Sequence, residues 1–288
     1  MSDPGRPSPL ILSGKARLAG VLGWPVSHSR SPRLHGFWLA HYGIDGAYLP
    51  LPVRPERFKA AARALADLGF RGANVTVPHK LAAAELCDEL SQRARAIGAV
   101  NTLVFEEGRI LGDNTDGLGF LRNLQAGVPD WRPGDGPALV LGAGGAARAV
   151  LVALRDAGVP EIRLANRTRA TAEALAEELG AAIRPVDWEA RETALEGLRL
   201  LVNTTALGMS GQPPLPLRLD RLPAEAVVSD LVYAPLTTGL LGTAQAHGNR
   251  TVDGLGMLLH QAVPGFAAWF GHEPEVTPAL RDFVLGTE

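Results

Sequence analysis

From Arg17 onward, short apolar runs alternate with segments whose apolar residues return every three or four positions. Short runs bounded by turn residues predict buried strands, and the three-to-four spacing predicts amphipathic helices. LAGVLG reads as a strand, SPRLHGFWLAHYGI as a helix opened by Ser31 with Pro32 at its first position, and AYLPLPV as the next strand. FKAAARALADLGF follows as a helix and GANVTVP as a strand ending at Pro78. LAAAELCDELSQRARAIGA holds two helical stretches, after which VNTLVFE and RILGDN pair as a hairpin across Glu107-Gly108. The βαβαβ order at the start calls for a mostly parallel sheet with helices on both faces.

After a helical TDGLGFLRNLQAG and the loop VPDWRPGDG, the alternation restarts. The strands PALVLG, EIRLAN, LRLLVNTT and AVVSDLVY are interleaved with the helices ARAVLVALRDAG, RATAEALAEELG and GLLGTAQAHG, and a proline-rich loop occupies 212–223. Two helices, GLGMLLHQAVPGFAAWFG and TPALRDFVLG, end the chain and are too few to form a domain alone. The expected organisation is α/β with two αβα domains. An extension at 1–16 precedes a first domain at 17–116; a second, near the commonest domain size, spans 117–252, and C-terminal helices at 253–288 return to the first. The chain crosses between the halves at Thr115 to Gly119 and near Asp253-Gly254, where Gly117, Gly119 and Gly254 give the backbone freedom to rotate.

Composition narrows the function. A chain of 288 residues can bury two cores, and 46% hydrophobic with 20% charged residues, without a long apolar run, describes a globular protein and no membrane span. A formal charge of -2 supplies no basic field for a phosphate backbone, so a small polar ligand is expected rather than nucleic acid. Cys87 is the single cysteine, which excludes an intrachain disulfide and a multi-cysteine metal site. The N-terminal residues lack a basic start followed by a long apolar core, so a reducing cytoplasm is the expected location.

LVLGAGGAARAV carries the clearest chemistry. Gly142-x-Gly144-x-x-Ala147 follows a strand and opens a helix, the context a dinucleotide fingerprint requires. Gly142 allows the tight turn, Gly144 removes a side chain that would block the pyrophosphate, and Ala147 lets helix and strand approach. A plain glycine-rich turn is the bland alternative, disfavoured by strand, motif, helix and strand falling in register. An NAD-binding domain places an acid at the end of the second strand, to bind the ribose 2'-hydroxyl. Here EIRLAN runs into Asn166, Arg167, Thr168 and Arg169, with no carboxylate. Two guanidiniums and a hydroxyl suit a 2'-phosphate, so NADP is favoured over NAD.

Three polar groups stand where strands end or helices begin: Ser27 to Pro32, Asn74 to Lys80, and Asn101-Thr102 with Asp113 to Asp116. Hydroxyls, amides, an ammonium and carboxylates suit a small polyhydroxy acid, with Lys80 placed to move a proton. Taken singly, Ser31 would be a helix cap, Asp116 the cap of the next helix and Lys80 a surface lysine.

GWPVSHSRSPRLH, GANVTVPHK, GAVNTL, GDNTDG, GAGGAARAV, ANRT and DGLGMLLHQA, in this order, closely resemble the shikimate dehydrogenase family over about residues 18 to 285. NVTVPxK together with DNTDG is highly specific. The resemblance implies an N-terminal substrate domain, a Rossmann NADP-binding domain, and reversible interconversion of 3-dehydroshikimate and shikimate with NADP(H), on the route to chorismate and aromatic amino acids. It implies no metal, and a monomer or homodimer. Ser29 and Ser31, assisted by Tyr233, would hold the substrate carboxylate, while Thr76, Asn101 and Gln261 bind hydroxyls. Lys80 and Asp116 would be the catalytic pair. Gly142, Ala143, Gly144, Gly145 and Ala146 would cradle the pyrophosphate, Asn166, Arg167 and Thr168 the 2'-phosphate, and Gly254 would also contact the cofactor.

The chain departs from the family pattern in places. Thr171 stands where the phosphate clamp commonly has an arginine, Trp24 where asparagine is frequent, and His79 where phenylalanine is frequent, which predicts a differently shaped pocket rim. Three rival functions remain: a quinate or quinate/shikimate dehydrogenase, a non-catalytic NADP-sensing module, and methylenetetrahydrofolate dehydrogenase. A sensor has no need of Lys80 with Asp116, and the last family should lack DNTDG.

Overall fold

The computed structural model describes residues 11–286, so the first ten residues of the expected extension lie outside it. The described end of that extension is anchored: the Ser13 N–H donates to Asp45 Oδ1 at 3.2 Å. The chain divides into two compact units, one running to Thr115 and resuming at Gln261, the other spanning Asp116–His260. Asp116 thus joins the second unit, and the chain re-enters the first at Gln261, later than the 253 read from the sequence.

The first unit contains β1 (Arg17–Gly23), α1 (Ser31–His41), β2 (Gly46–Pro52), α2 (Phe58–Asp67), β3 (Gly72–Val75), α3 (Lys80–Leu86), β4 (Glu89–Leu90), α4 (Gln92–Ile97), β5 (Thr102–Glu106) and β6 (Arg109–Asp113). The sheet order is β2-β1-β3-β5-β6-β4, with β5 antiparallel to both neighbours and the other pairings parallel. Alternation along β3 explains its two faces. Ala73 and Val75 join a core with Leu22, Phe58 and Ala62, whereas Gly72 and Asn74 point to the opposite face. There a Cβ on Gly72 would stand 2.2 Å from Trp269 Nε1, which donates to the Leu103 carbonyl at 2.9 Å. That indole and Phe266 are fully buried, at about 1.5–3 kcal/mol for a side chain of this kind.

The second unit contains α5 (Asp116–Gly127), β7 (Ala138–Leu141), α6 (Gly145–Ala157), β8 (Ile162–Asn166), α7 (Arg169–Leu179), β9 (Ile183–Asp187), β10 (Leu200–Asn203), β11 (Val227–Asp230), α8 (Gly239–Ala246) and β12 (Arg250–Val252). α9 (Leu255–Phe270) runs through the boundary at Gln261, and α10 (Pro278–Leu285) belongs to the first unit. The sheet is fully parallel in the order β12-β11-β10-β7-β8-β9, so the strand order reverses between β7 and β10. That reversal is where an open α/β sheet has a crevice at its carboxyl ends. The two edge strands, β9 and β12, are not evident in the hydrophobic pattern. β9 contains Pro185, which an edge strand tolerates, and β12 has three residues.

Two glycines read from the sequence as hinges have packing roles. A Cβ on Gly117 would stand 2.8 Å from the Ala149 carbonyl, and one on Gly254 2.1 Å from the Leu231 carbonyl. Among the described residues no helix is long and apolar enough to cross a membrane.

Candidate active site

In the first unit, the candidate ligands leave one end of the sheet. β1 and β3 are parallel with Leu22 opposite Val75, so the chain after Gly23 and the chain after Val75 emerge side by side, and the Trp24 N–H donates to the Val77 carbonyl at 3.1 Å. A Cβ on Gly23 would stand 2.5 Å from Thr76 Cγ2, so glycine permits this approach. The first of these segments carries Ser29 and Ser31, the second Thr76 and Lys80, which is the first residue of α3. Because β5 is antiparallel to β3, its start lies beside the end of β3, and the Val75 N–H donates to the Asn101 carbonyl at 2.8 Å.

Asn101 is buried at the centre of a polar network. Its Oδ1 accepts from the Thr115 N–H at 2.9 Å and the Thr102 hydroxyl at 2.8 Å, and its amide donates to Thr115 Oγ1 at 3.0 Å and Gln261 Oε1 at 3.3 Å. Asn101 and Gln261 are therefore brought together by bonds that fix both amides. Behind them the Tyr48 hydroxyl donates to Asn74 Oδ1 at 2.6 Å, and the Asn74 amide donates to the Asn101 carbonyl at 3.2 Å. Burial pushes the Tyr48 phenol well above its ordinary range, against the opposing influence of Ser31, so it remains a donor. Tyr48 was not singled out in the sequence; a hydroxyl-bearing aromatic in an otherwise apolar strand is the signal it offers.

Ser31 is not a cap. Arg30 holds the cap position with no side-chain bond, and Ser31 is the first residue of α1, 7% exposed, its N–H donating to Ser29 Oγ at 3.3 Å. His79 is a correction to the expected rim. It is buried, its Nε2 lies 2.8 Å from the Val53 carbonyl and its ring stacks on Phe58 at 4.7 Å, so it fills an aromatic core position. Trp24 does remain exposed, with the Arg54 guanidinium 5.5 Å from its ring centroid. Asp116 is buried and begins α5, in the second unit.

The candidate nucleotide loop follows β7. Gly142 has φ +101°, in the left-handed region that favours glycine, and a Cβ there would meet Thr204 Oγ1 at 2.8 Å. Gly144 caps α6 without a side-chain bond, and a Cβ on Gly144 or Gly145 would find nothing within 4 Å. Ala147 is fully buried against the sheet. An uncapped helix start beside open space, with Ala143 and Ala146 flanking it, fits a dinucleotide pyrophosphate. At the end of β8 the Asn166 amide donates to the Thr168 carbonyl at 2.9 Å, which shapes the turn into α7. Arg167 is exposed, and no carboxylate lies within ion-pair distance of it among the described residues. Arg169, by contrast, donates to Glu173 at 2.7 Å and also pairs with Asp187, so the two guanidiniums offered by the sequence are not equivalent. Thr171 is exposed in the first turn of α7. Among the described residues no three potential metal-binding side chains cluster.

Residues 21–103 match the model of the shikimate dehydrogenase substrate-binding domain, 134–208 that of shikimate/quinate 5-dehydrogenase, and 254–281 that of the shikimate 5'-dehydrogenase C-terminal domain. The shikimate dehydrogenase (NADP(+)) of Paramagnetospirillum magneticum is 64% identical over 275 residues, covering 95% of this chain and all of that one. The chain belongs to the shikimate dehydrogenase family. Thermus thermophilus shikimate 5-dehydrogenase in complex with NADP(H) and shikimate is 42% identical with a TM-score of 0.84, covering 93% of this chain and 98% of that one. Quinate dehydrogenase from Corynebacterium glutamicum in complex with NAD is 33% identical with a TM-score of 0.87, over 94% and 99%. The α/β architecture described above, with its substrate-binding N-terminal part and Rossmann-like part, is that of shikimate dehydrogenase structures.

Proposed function

We propose that this chain is an NADP-dependent shikimate dehydrogenase, reversibly reducing 3-dehydroshikimate to shikimate in the cytoplasm. The observation that carries this reading is identity of 64% to a shikimate dehydrogenase (NADP(+)) along its full length. Most of the proposed substrate ligands fall in the unit ending at Thr115 and resuming at Gln261, whereas Tyr233, Asp116 and all the proposed nucleotide ligands fall in Asp116–His260.

When bound, NADPH would supply the hydride. Gly142 to Ala146 would hold its pyrophosphate and Asn166, Arg167 and Thr168 its 2'-phosphate, and Gly254 would also contact it. Ser29, Ser31 and Tyr233 donate to the substrate carboxylate, and Thr76, Asn101 and Gln261 bind its hydroxyls. The bonds of Asn101 use both amide hydrogens and both oxygen lone pairs, so a substrate hydroxyl would replace one of them, the 3.3 Å contact to Gln261 Oε1 being the longest.

Reduction leaves a developing negative charge on the C3 oxygen, which Lys80 neutralises by donating a proton; oxidation returns that proton to Lys80. Asp116, the other member of the proposed catalytic pair, would orient the lysine. The group at this place must exist in both protonation states, and arginine cannot, because its pKa is above about 12. Lys80→Arg keeps the charge, so kcat should fall by roughly 10² to 10⁴, the range of a missing general acid, while KM for shikimate and Kd for NADP change far less. Near wild-type turnover by Lys80→Arg contradicts the acid/base role.

A further inference from the structure

Asn203 and Asp230 are fully buried polar residues at the carboxyl ends of adjacent strands, β10 and β11, beside the point where the strand order reverses. Neither belongs to the site described so far. A buried carboxylate is costly unless its oxygens are used, and here both are. Asp230 Oδ1 accepts from the Asn203 amide at 2.9 Å and the Val232 N–H at 3.0 Å, and Oδ2 accepts from the Thr238 hydroxyl at 2.6 Å. Val232 immediately precedes Tyr233, and Thr238 caps α8, receiving the Leu241 N–H at 3.3 Å. The carboxylate therefore ties together the two ends of the loop that carries Tyr233.

The same loop is fixed from a third side. Gly254 lies so close that a Cβ there would be 2.1 Å from the Leu231 carbonyl. On the other flank Asn203 Oδ1 accepts from the N–H and hydroxyl of Thr205, at 3.0 and 2.7 Å, and its amide also donates to the Leu207 carbonyl at 3.2 Å. An apolar isostere at 230 would leave the Thr238 hydroxyl and Val232 N–H without this acceptor. The arrangement fixes the path of the backbone on either side of Tyr233, and the Asp230 carboxylate itself bonds only to Asn203, Val232 and Thr238, none of them a candidate ligand.

We propose that Asp230 is a positioning residue, holding Tyr233 in place to bind the substrate carboxylate through the Val232 N–H and the Thr238 hydroxyl. This rests on the assignment of Tyr233 as a carboxylate ligand. The carboxylate keeps its charge throughout the reaction, so a misplaced Tyr233 weakens ground and transition states alike, which raises KM and spares kcat.

The test measures kcat, KM for shikimate and Kd for NADP in Asp230→Asn, Tyr233→Phe and the double variant, with melting temperatures alongside. Asparagine cannot accept at both ends of the loop. Asp230→Asn should raise KM for shikimate about tenfold, near the loss of one hydrogen bond to a charged group, with kcat and the NADP Kd within about twofold. The double variant should be no worse than Tyr233→Phe alone. Thr238→Val should reproduce the KM defect and Thr238→Ser restore it, which keeps the assignment testable if Asp230→Asn fails to fold. A KM defect that multiplies that of Tyr233→Phe, or an equal loss in kcat and both ligands, overturns the role of Asp230 alone. An unchanged KM in Tyr233→Phe overturns the reading of Tyr233, and this assignment with it.

Discussion

His35 lies at the heart of the first unit, fully buried, with neither ring nitrogen within hydrogen-bond geometry of a partner. Its ring stacks on Tyr48 at 4.0 Å and meets Trp38, Phe266 and Trp269. Burial lowers its pKa from 6.5 to about 3, outweighing the nearby Asn74 amide. The unfolded chain therefore takes up a proton below pH 6.5 that the folded chain refuses until about pH 3. Its share of stability is intact above pH 6.5 and declines as the pH falls towards 3, by about 1.4 kcal/mol per unit at most. Phenylalanine fits the same stack without titrating. Denaturant unfolding at pH 7 and pH 5 should show His35→Phe gaining about 2 kcal/mol relative to wild type on acidification, and a pH-independent difference between the two contradicts the claim. The sequence offered His35 only as a helical residue; its isolation depends on aromatics from two distant segments of the chain.

At the scale of elements, the proposed determinant of nucleotide choice is the start of α7. The sequence correctly lacked an acid at the end of β8, but it presented Arg167 and Arg169 as equals. Their difference comes from β9, the edge strand that Pro185 obscures. Asn166 is paired in register with Asp187, whose carboxylate engages Arg169. Arg167→Ala should weaken NADP about tenfold to a hundredfold, the loss of a charge-assisted bond, and leave NAD nearly unchanged. Arg169→Ala, which removes exposed ion pairs with Glu173 and Asp187, should alter NADP affinity far less and leave stability nearly unchanged, because solvent screens exposed pairs. Titration of both nucleotides against both variants separates the two arginines; equal losses of NADP and NAD in Arg167→Ala would mean that it supports the fold and not the phosphate. The tight turn between β7 and α6 was legible because glycine at 142 answers a backbone requirement, a positive φ of 101°, that any reader of strand, turn and helix can state. His79 was misread for the opposite reason, since its place depends on Phe58 and Val53, in another part of the chain.

For the whole molecule, the alternation of apolar runs revealed two α/β halves, because parallel strands and their covering helices each leave a local period, and the return of the C-terminal helices followed from their being too few to form a domain alone. The point of return was not local. α9 is one continuous helix, and its division at Gln261 depends on what each part packs against, as Trp269 on Gly72 illustrates. Asn203 and Asp230 were likewise passed over, as polar ends of apolar runs whose partnership exists only once β10 and β11 lie side by side. The central claim, that the chain oxidises shikimate with NADP+, is tested most directly by steady-state turnover of the purified protein with shikimate or quinate and with NADP+ or NAD+. The account predicts the highest kcat/KM for shikimate with NADP+, exceeding both quinate with NADP+ and shikimate with NAD+. A preference for quinate, a preference for NAD+, or binding of NADP+ without any turnover would contradict it.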